Sequence, residues 1–415
     1  MLTVFLWLLP GKGEQRRCSL FYRKLLKKEE GTCNVPKLKV AIVHDWLVTY
    51  GGAERVLEQI LNIFPEADLF SLIDFIDDDK RDFIRNKKVK TTFIQSFPLA
   101  KSNYRSYLPF FPIAIKQFDL QKYDIVISSS HCVAKSVSTA PHQLHICYCY
   151  TPARYAWDLQ KQYLSGTGFS SIKIFILRHY LSRFRMWDRA NSKNVDYFIA
   201  CSDYISNRIE KSYFRSSYTI YPNVSVDDFE LSEIKKDYFV TCSRIVPYKK
   251  VDLIVEAFSR MPDKQLIVIG DGPDYKKLQS LQSSNITLIG HQPFAVLKDL
   301  IKKASAFVFA AEEDFGIAPV EAMACGTPVI AYGEGGLLET VIHKKTGIFF
   351  YEQSAKSIEK AVLDFDRTVL LSPKEIREHA LKFSSERFRQ EFLQFAFQCW
   401  DKHYSDNFST ELSHT

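Results

Sequence analysis

The sequence holds no Cys-x-x-Cys pair, and its nine cysteines are an odd number. Cys147, Cys149, Cys201 and Cys242 fall inside or at the ends of apolar runs. That pattern argues against a disulfide or zinc framework and reads as small buried hydrophobes in a reducing compartment. Long apolar runs are also missing. Crossing a bilayer takes about 20 apolar residues, whereas Met1–Leu9 is broken by Pro10 and its basic stretch follows it, so neither a transmembrane helix nor a secretory signal is read. There is no 20–50-residue repeat and no low-complexity tract. Charge of one sign is scarce as well: 55 Lys and Arg stand against 48 Asp and Glu, a net of +7. A dedicated nucleic-acid binder concentrates more positive charge than this, so no nucleic-acid partner is expected. Residues 1–36 carry +4 of that net, leaving +3 for the remaining 379. This leader reads either as a non-functional tail from an upstream start or as a peripheral anchor of apolar run plus basic stretch.

What is present is an ordinary globular balance, 46% hydrophobic and 25% charged over 415 residues, enough for two or three domains. Short apolar β-branched runs recur between segments of helical period. Leu38–His44, Ala67–Ile73, Asp124–Ser128, Leu144–Tyr150 and Val195–Cys201 read as strands covered on both faces. A second series restarts with Asp237–Ser243, Gln265–Gly270, Asn285–Gly290, Ala306–Ala310, Thr327–Ala331 and Ile348–Tyr351. The expected class is α/β, with two doubly wound Rossmann-like domains facing across a cleft. The boundaries are a basic leader at 1–36, an N-terminal domain at 37–221 and a C-terminal domain at 222–384. Pro222 interrupts both patterns at the junction. Phe388, Phe392, Phe395 and Trp400 predict a helix over 385–403 that docks back on the N-terminal domain, followed by a frayed polar tail at 404–415.

Glycine is sparse, and nine of the sixteen lie between Gly270 and Gly347, so close backbone approach or sharp turning is concentrated there. Tyr50-Gly51-Gly52-Ala53-Glu54-Arg55 follows the first strand and opens a helix. It suits a phosphate or acceptor loop, and equally plain turn chemistry. Ile269-Gly270-Asp271-Gly272-Pro273 reads as a loop lining the cleft. Neither glycine pair is a dinucleotide fingerprint, since no third glycine stands at the required spacing. The densest cluster runs Glu313-Asp-Phe315-Gly316-Ile317-Ala-Pro319-Val-Glu321. Two carboxylates there flank a turn whose N–H groups, at Phe315, Gly316 and Ile317, open a helix. Carboxylates accept from sugar and ribose hydroxyls, and the N–H groups donate to a diphosphate. Glu321, just after Pro319, is expected in the first helical turn. Ser243-Arg244-Ile-Val-Pro-Tyr-Lys249 follows a strand and offers two cations for a leaving diphosphate, or a solvated loop with scattered bases.

Tyr50–Arg55, Ser243–Lys249, Gly270–Pro273 and Glu313-x7-Glu321 with Glu321-Ala-Met-Ala-Cys-Gly-Thr-Pro328 occur in this order and resemble retaining glycosyltransferases of the GT-B fold, glycosyltransferase family 4. The resemblance covers roughly residues 38–400. Val43-His-Asp-Trp-Leu-Val-Thr-Tyr50 and Tyr150-Thr-Pro-Ala-Arg-Tyr-Ala-Trp-Asp158 look most like mannosyltransferases of bacterial surface-polysaccharide assembly (O-antigen, capsule, exopolysaccharide), which use GDP-mannose. Tyr150 stands where most members carry His.

The resemblance implies a hexosyltransferase with a nucleotide-sugar co-substrate and no metal or other cofactor. Arg244 and Lys249 would bind the diphosphate, Glu313 the sugar hydroxyls, Glu321 the ribose, and His131, after the strand at Asp124–Ser128, would be the acceptor-side histidine near the anomeric carbon. No carboxylate is placed as a nucleophile, which favours front-face attack. Hinges are expected at Pro222 and Ser385. The implied acceptor is a glycan or polyprenyl-linked glycan, with Ile172–Arg189 as a basic amphipathic face for a membrane or as an ordinary domain helix. The expected location is the cytoplasm, with the inner face of the plasma membrane as a site of peripheral attachment. A UDP-sugar donor, an epimerase or hydrolase, and a non-catalytic sugar-binding protein are the alternatives.

Overall fold

The computed structural model describes residues 38–157 and 171–412, without the side chains of Ser171 and residues 406–412. The leader at 1–36, the final residue of the Tyr150–Asp158 motif and the last three residues of the tail lie outside the described residues. The chain divides into two compact units. Unit 1 comprises residues up to Cys201, Ile205–Ile220 and Arg389 onward; unit 2 comprises Ser202–Tyr204 and Tyr221–Phe388.

Unit 1 is built on seven parallel strands: β1 (Val40–His44), β2 (Asp68–Ser71), β3 (Lys90–Thr91), β4 (Ile125–Ser130), β5 (Leu144–Cys149), β6 (Tyr197–Ala200) and β7 (Ser217–Thr219). Their order is β3-β2-β1-β4-β5-β6-β7. β1, β4 and β5 are buried at every position, which is why their sequences are continuous apolar or small-residue runs without alternation. β3 and β7 are edge strands of two and three residues that carry no apolar run, so pairing with β2 and β6 alone makes them strands.

Helix α1 (Gly52–Ile63) follows β1. It buries Val56, Leu57, Ile60 and Leu61 as one stripe, and Glu54 closes its first turn by accepting from the Gly51 N–H at 2.9 Å. Helix α2 spans Ser171–Asn191. Phe184 and Leu181 are buried, but Ile172, Phe175 and Ile176 are 73%, 72% and 61% exposed. The expected arginine face does not hold together. Arg185 donates to the Ala156 carbonyl at 2.8 Å, and Arg189 donates to the Ser212 carbonyl at 2.7 Å while stacking over Trp157 and Phe214. The two guanidinium groups satisfy buried carbonyls, leaving Arg178 as the exposed member of that set.

Unit 2 has six parallel strands: β8 (Lys236–Cys242), β9 (Leu266–Ile269), β10 (Ile286–Leu288), β11 (Ala304–Phe309), β12 (Val329–Tyr332) and β13 (Gly347–Phe350), in the order β10-β9-β8-β11-β12-β13. Helix α3 (Ile317–Ala324) follows β11. Gly316, at φ +90°, starts it two residues earlier than Pro319 suggests, so Glu321 sits in the second helical turn and not the first.

The last helix, α4 (Ser385–Leu412), begins in unit 2 and continues in unit 1 from Arg389. Within unit 1, Phe392 packs against Phe64 and Tyr148, and Phe395 stacks on Tyr218. The helix continues past His403 to Leu412 instead of fraying at Tyr404, because the polar residues there include no helix breaker. Among the described residues no helix is long and apolar enough to cross a membrane.

Candidate functional site

In doubly wound sheets, ligands gather at the carboxyl ends of strands where strand order reverses. That point is β1/β4 in unit 1 and β8/β11 in unit 2. The sequence-predicted residues collect at these two places.

In unit 1, β1 ends at His44 and β4 ends at Ser130, with His44 in register with Ser129. His44 Nδ1 lies 2.9 Å from Ser129 Oγ, and Nε2 lies 3.5 Å from Glu54 Oε1. Burial works against the Glu54 charge, but the contact with His44, together with a backbone hydrogen bond and the nearby His131, outweighs it and holds the carboxyl below its ordinary range. Tyr150, which stands where the resembled family carries His, is held in place. Its hydroxyl lies 2.8 Å from Ser129 Oγ and donates to the Ala53 carbonyl at 2.8 Å, which fixes the start of α1. The Gly51-Gly52 loop is therefore tied down by Glu54 and Tyr150. The Gly51 N–H is already used by Glu54, so Gly51 offers a ligand no free donor.

His131 follows β4 directly. Its side chain is 25% exposed, and its ring packs edge-on against Trp46 at 4.4 Å. Burial pushes its pKa down, Asp45 pulls it back up, and His44 adds to the lowering. Below it, the fully buried Asp45 accepts from the N–H groups of His131, Cys132, Val133 and Ala134 at 2.6, 2.9, 2.7 and 2.7 Å. A second buried charge braces the same turn. Lys135 Nζ pairs with Asp188 at 2.6 Å and donates to the Cys132 carbonyl at 2.7 Å, while Asp188 also accepts from Trp157 and Tyr213. Sequence reasoning assigned no role to Asp45, Glu54, Lys135 or Asp188. A signal existed for Asp45: a carboxylate directly after a strand buried on both faces needs donors, and a following turn supplies them.

In unit 2, the turn after β8 carries Arg244 and Lys249, and the loop after β11 carries Glu313. Lys249 Nζ pairs with Glu313 Oε1 across the β8/β11 switch point, both side chains about four-fifths covered. Lys249 also sits over the Phe309 ring at 5.6 Å. Arg244 is exposed, and among the described residues its guanidinium meets no carboxylate. Gly270 and Gly272 face this same turn. A Cβ at Gly270 would lie 1.9 Å from the Ser243 carbonyl oxygen, and one at Gly272 would lie 2.1 Å from that of Ile245. These glycines let the β9 loop press directly against the backbone that presents Arg244.

Gly335 and Gly336 do the same for Glu313, since a Cβ on either would strike the carbonyl oxygens of Glu313 or Asp314 at 2.5 or 2.3 Å. Among the described residues, the N–H groups of Phe315, Gly316 and Ile317 donate to no backbone carbonyl. Three donors therefore open α3 beside the Lys249–Glu313 pair. Glu321 is buried within α3. It lies close enough to Cys242, at the end of β8, to add to the burial that pushes that thiol up to about 12. Arg244, Lys249, Gly270, Gly272, Glu313, Phe315, Gly316, Ile317 and Glu321 thus share one end of one sheet. His131, Gly51 and Gly52 occupy the corresponding end of the sheet in unit 1. Among the described residues no group of His, Cys, Asp and Glu is arranged to hold a metal ion.

Residues 226–378 match the family described as glycosyl transferases group 1, a span that includes every candidate residue of unit 2. A stretch of 207 residues is 30% identical to an uncharacterised glycosyltransferase of Methanocaldococcus jannaschii, covering 47% of this chain and 57% of that one. A GDP-mannose-dependent alpha-(1-6)-phosphatidylinositol monomannoside mannosyltransferase of Mycolicibacterium smegmatis is 34% identical over 143 residues, 30% of this chain and 37% of the relative. The chain thus spans 57% and 37% of the lengths of these two relatives. Among solved structures, HepE of Anabaena, in complex with UDP, aligns over 86% of this chain and 99% of that one, with a TM-score of 0.65 at 17% identity. The fold expected from the sequence is the one found: α/β, with two parallel Rossmann-like sheets as in GT-B glycosyltransferases.

Proposed function

We propose that this protein is a retaining hexosyltransferase that moves mannose from GDP-mannose to a hydroxyl of a lipid-linked glycan in surface-polysaccharide assembly. The observation that carries the reading is the unit 2 switch point. One cation, one carboxylate and three N–H donors without backbone acceptors converge there, inside the span that matches group 1 glycosyltransferases. Expelling a nucleoside diphosphate builds negative charge on the leaving oxygens. Lys249, Arg244 and the α3 N–H groups supply fixed positive charge for it without any metal. Glu313 accepts from the sugar hydroxyls and Glu321 serves the ribose. His131 serves the acceptor side. The mannose donor is supported by the Val43–Tyr50 and Tyr150–Asp158 motifs and by similarity to a GDP-mannose-dependent relative. Calorimetry with GDP-mannose, UDP-glucose and UDP tests the donor class. GDP-mannose alone should bind measurably; binding of UDP-glucose and not GDP-mannose would replace the donor, and binding of none would remove the reading.

A lipid-linked acceptor calls for a membrane-facing surface, and one stretch of unit 1 supports that reading. Segments 97–118 and 171–187 contain no Asp or Glu. They meet where Tyr180 Oη donates to the Leu108 carbonyl at 3.0 Å. Leu99, Ile113, Ile172 and Phe175 on these segments are each at least 65% exposed, and Lys101, Arg105 and Arg178 lie among them. Exposed apolar side chains among bases, without acids, suit an anionic lipid surface. Co-sedimentation with phosphatidylglycerol vesicles should be strong at low salt and weakened at high salt; no binding at low salt would exclude this face.

A further inference from the structure

Two carboxylates in unit 1, Asp45 and Asp188, have no solvent exposure at all. Asp188 has Lys135 as its counter-ion. Asp45 has no Lys or Arg partner among the described residues; its charge is met by the four consecutive N–H groups of the turn at 131–134, two on each oxygen. Holding that turn would explain the four bonds, but not a fifth contact. Asp45 Oδ2 also lies 3.3 Å from His131 Nδ1, a ring nitrogen that is enclosed and makes no hydrogen bond in this alignment. Trp46, the residue after Asp45, meets the same imidazole edge-on at 89° and limits its rotation. The two residues that follow β1 therefore grip the histidine that follows β4.

We infer that Asp45 is a positioning residue for His131, keeping the Nδ1–H edge of the ring against its carboxylate and presenting Nε2 outward as a lone-pair acceptor for a hydroxyl. A carboxylate beside Nδ1 favours the tautomer that carries its hydrogen there, because that edge then points a positive dipole at the charge. Nε2 is left to accept from an alcohol of the sugar or of the acceptor. What that alcohol belongs to rests on the glycosyltransferase reading; the tautomer does not. The other titratable or charged groups acting on the ring are His44, whose ring centre lies 6.4 Å away, Tyr150 at 6.2 Å, Glu54 and Arg105.

The test is nitrogen NMR of the full chain labelled with 15N-histidine, with the His131 signals assigned by their loss in His131→Gln. In the native protein at neutral pH, Nδ1 should be the protonated nitrogen and Nε2 the bare one. In Asp45→Asn, the His131 pKa should fall by about one pH unit as the opposite charge is removed. A carboxylate 3.3 Å from the ring acts on the pKa in either role, so the fall in Asp45→Asn checks the contact, and the native tautomer, which a turn-holding role alone would not select, separates the two roles. A native protein with hydrogen on Nε2, or an unmoved pKa in Asp45→Asn, overturns the inference. Should Asp45→Asn not fold, the native tautomer decides by itself. His131→Ala with undiminished glycosyl transfer would instead defeat the catalytic-side reading of His131 and leave the tautomer result standing.

Discussion

His145 occupies the second position of β5 and is fully buried. Its Nδ1 lies 2.9 Å from the Asn194 carbonyl and its Nε2 lies 2.9 Å from Ser128 Oγ. A carbonyl only accepts, so Nδ1 carries the hydrogen and Nε2 accepts from the serine. Both nitrogens are used, and a second proton would have to reverse the Ser128 bond and place a charge where no water reaches it. Burial pushes the pKa down to about 4, outweighing the Asn194 bond and the Asp196 charge that pull it up. Above pH 6.5 the ring is neutral whether the chain is folded or not, and no stability depends on it. As pH falls through 6.5 the unfolded chain takes up a proton that the folded chain refuses, so stability is lost progressively until about pH 4. At roughly 1.4 kcal/mol per pH unit the loss reaches about 3 kcal/mol. That is a large share of the ~5–15 kcal/mol that holds a typical domain. The assay is urea unfolding at pH 7.5 and pH 4.0 of the native chain and of His145→Gln, whose amide keeps one donor and one acceptor. Carboxylates titrate in both proteins, so the difference between them isolates His145. The native chain should lose about 3 kcal/mol more than the variant on acidification; equal losses would refute the reasoning.

Other substitutions separate chemistry from scaffolding. Lys249→Ala and Glu313→Ala should each lower transfer by about a hundredfold or more with unchanged circular dichroism, and retained turnover in either removes that residue from the site. His131→Ala should lower kcat more than it raises KM for the donor; a pure donor-affinity loss would place it with the nucleotide. Gly270→Ala drives a Cβ into the Ser243 carbonyl and should cost roughly 3 kcal/mol or more while weakening nucleotide binding through the Arg244 turn. Gly290→Ala is the control, because a Cβ there meets nothing closer than Tyr275 Oη at 3.9 Å and only its positive φ is strained, about 1 kcal/mol. Lys135→Met leaves Asp188 buried without its cation and should cost about 3–5 kcal/mol, with Lys135→Met/Asp188→Leu losing less than the sum of its parts. Although burial opposes its charge, Asp188 raises the Lys135 pKa above the ordinary lysine value of 10.5, so the stability that comes from the lysine's own titration is fully present below that value and is lost only in strong alkali.

The central strands were legible because burial on both faces leaves a plain mark: the apolar run Val40–Val43, or Ile125–Ile127 continuing into small serines, is hard to read otherwise. β3 and β7 were not, since Lys90–Thr91 and Ser217–Thr219 are strands only by virtue of the neighbour each pairs with. In unit 2 the candidate residues could be named from spacing, because Lys249 and Glu313 each follow a strand of one sheet and the order of strands brings them together. Asp45 escaped for the opposite reason. Its four donors stand 86 to 89 positions away, so its place after a buried strand signals a need for donors without saying where they lie. Of the two readings open for α2, basic face or ordinary domain helix, the first loses two of its three arginines because Arg185 and Arg189 serve carbonyls within unit 1, a choice that helical periodicity does not report.

The Lys249–Glu313 pair has a consequence for turnover. Each side chain satisfies the other, so any ligand entering there has to divide them. On the function proposed above, an intact nucleotide sugar would compensate both at once, its diphosphate taking Lys249 and its sugar hydroxyls taking Glu313. A nucleoside diphosphate that has lost its sugar takes only the lysine and strands a carboxylate that is about four-fifths covered, a state that desolvation penalises. On that same reading the spent nucleotide would be the poorer competitor for the site, and the return of Glu313 to Lys249 would help to eject it.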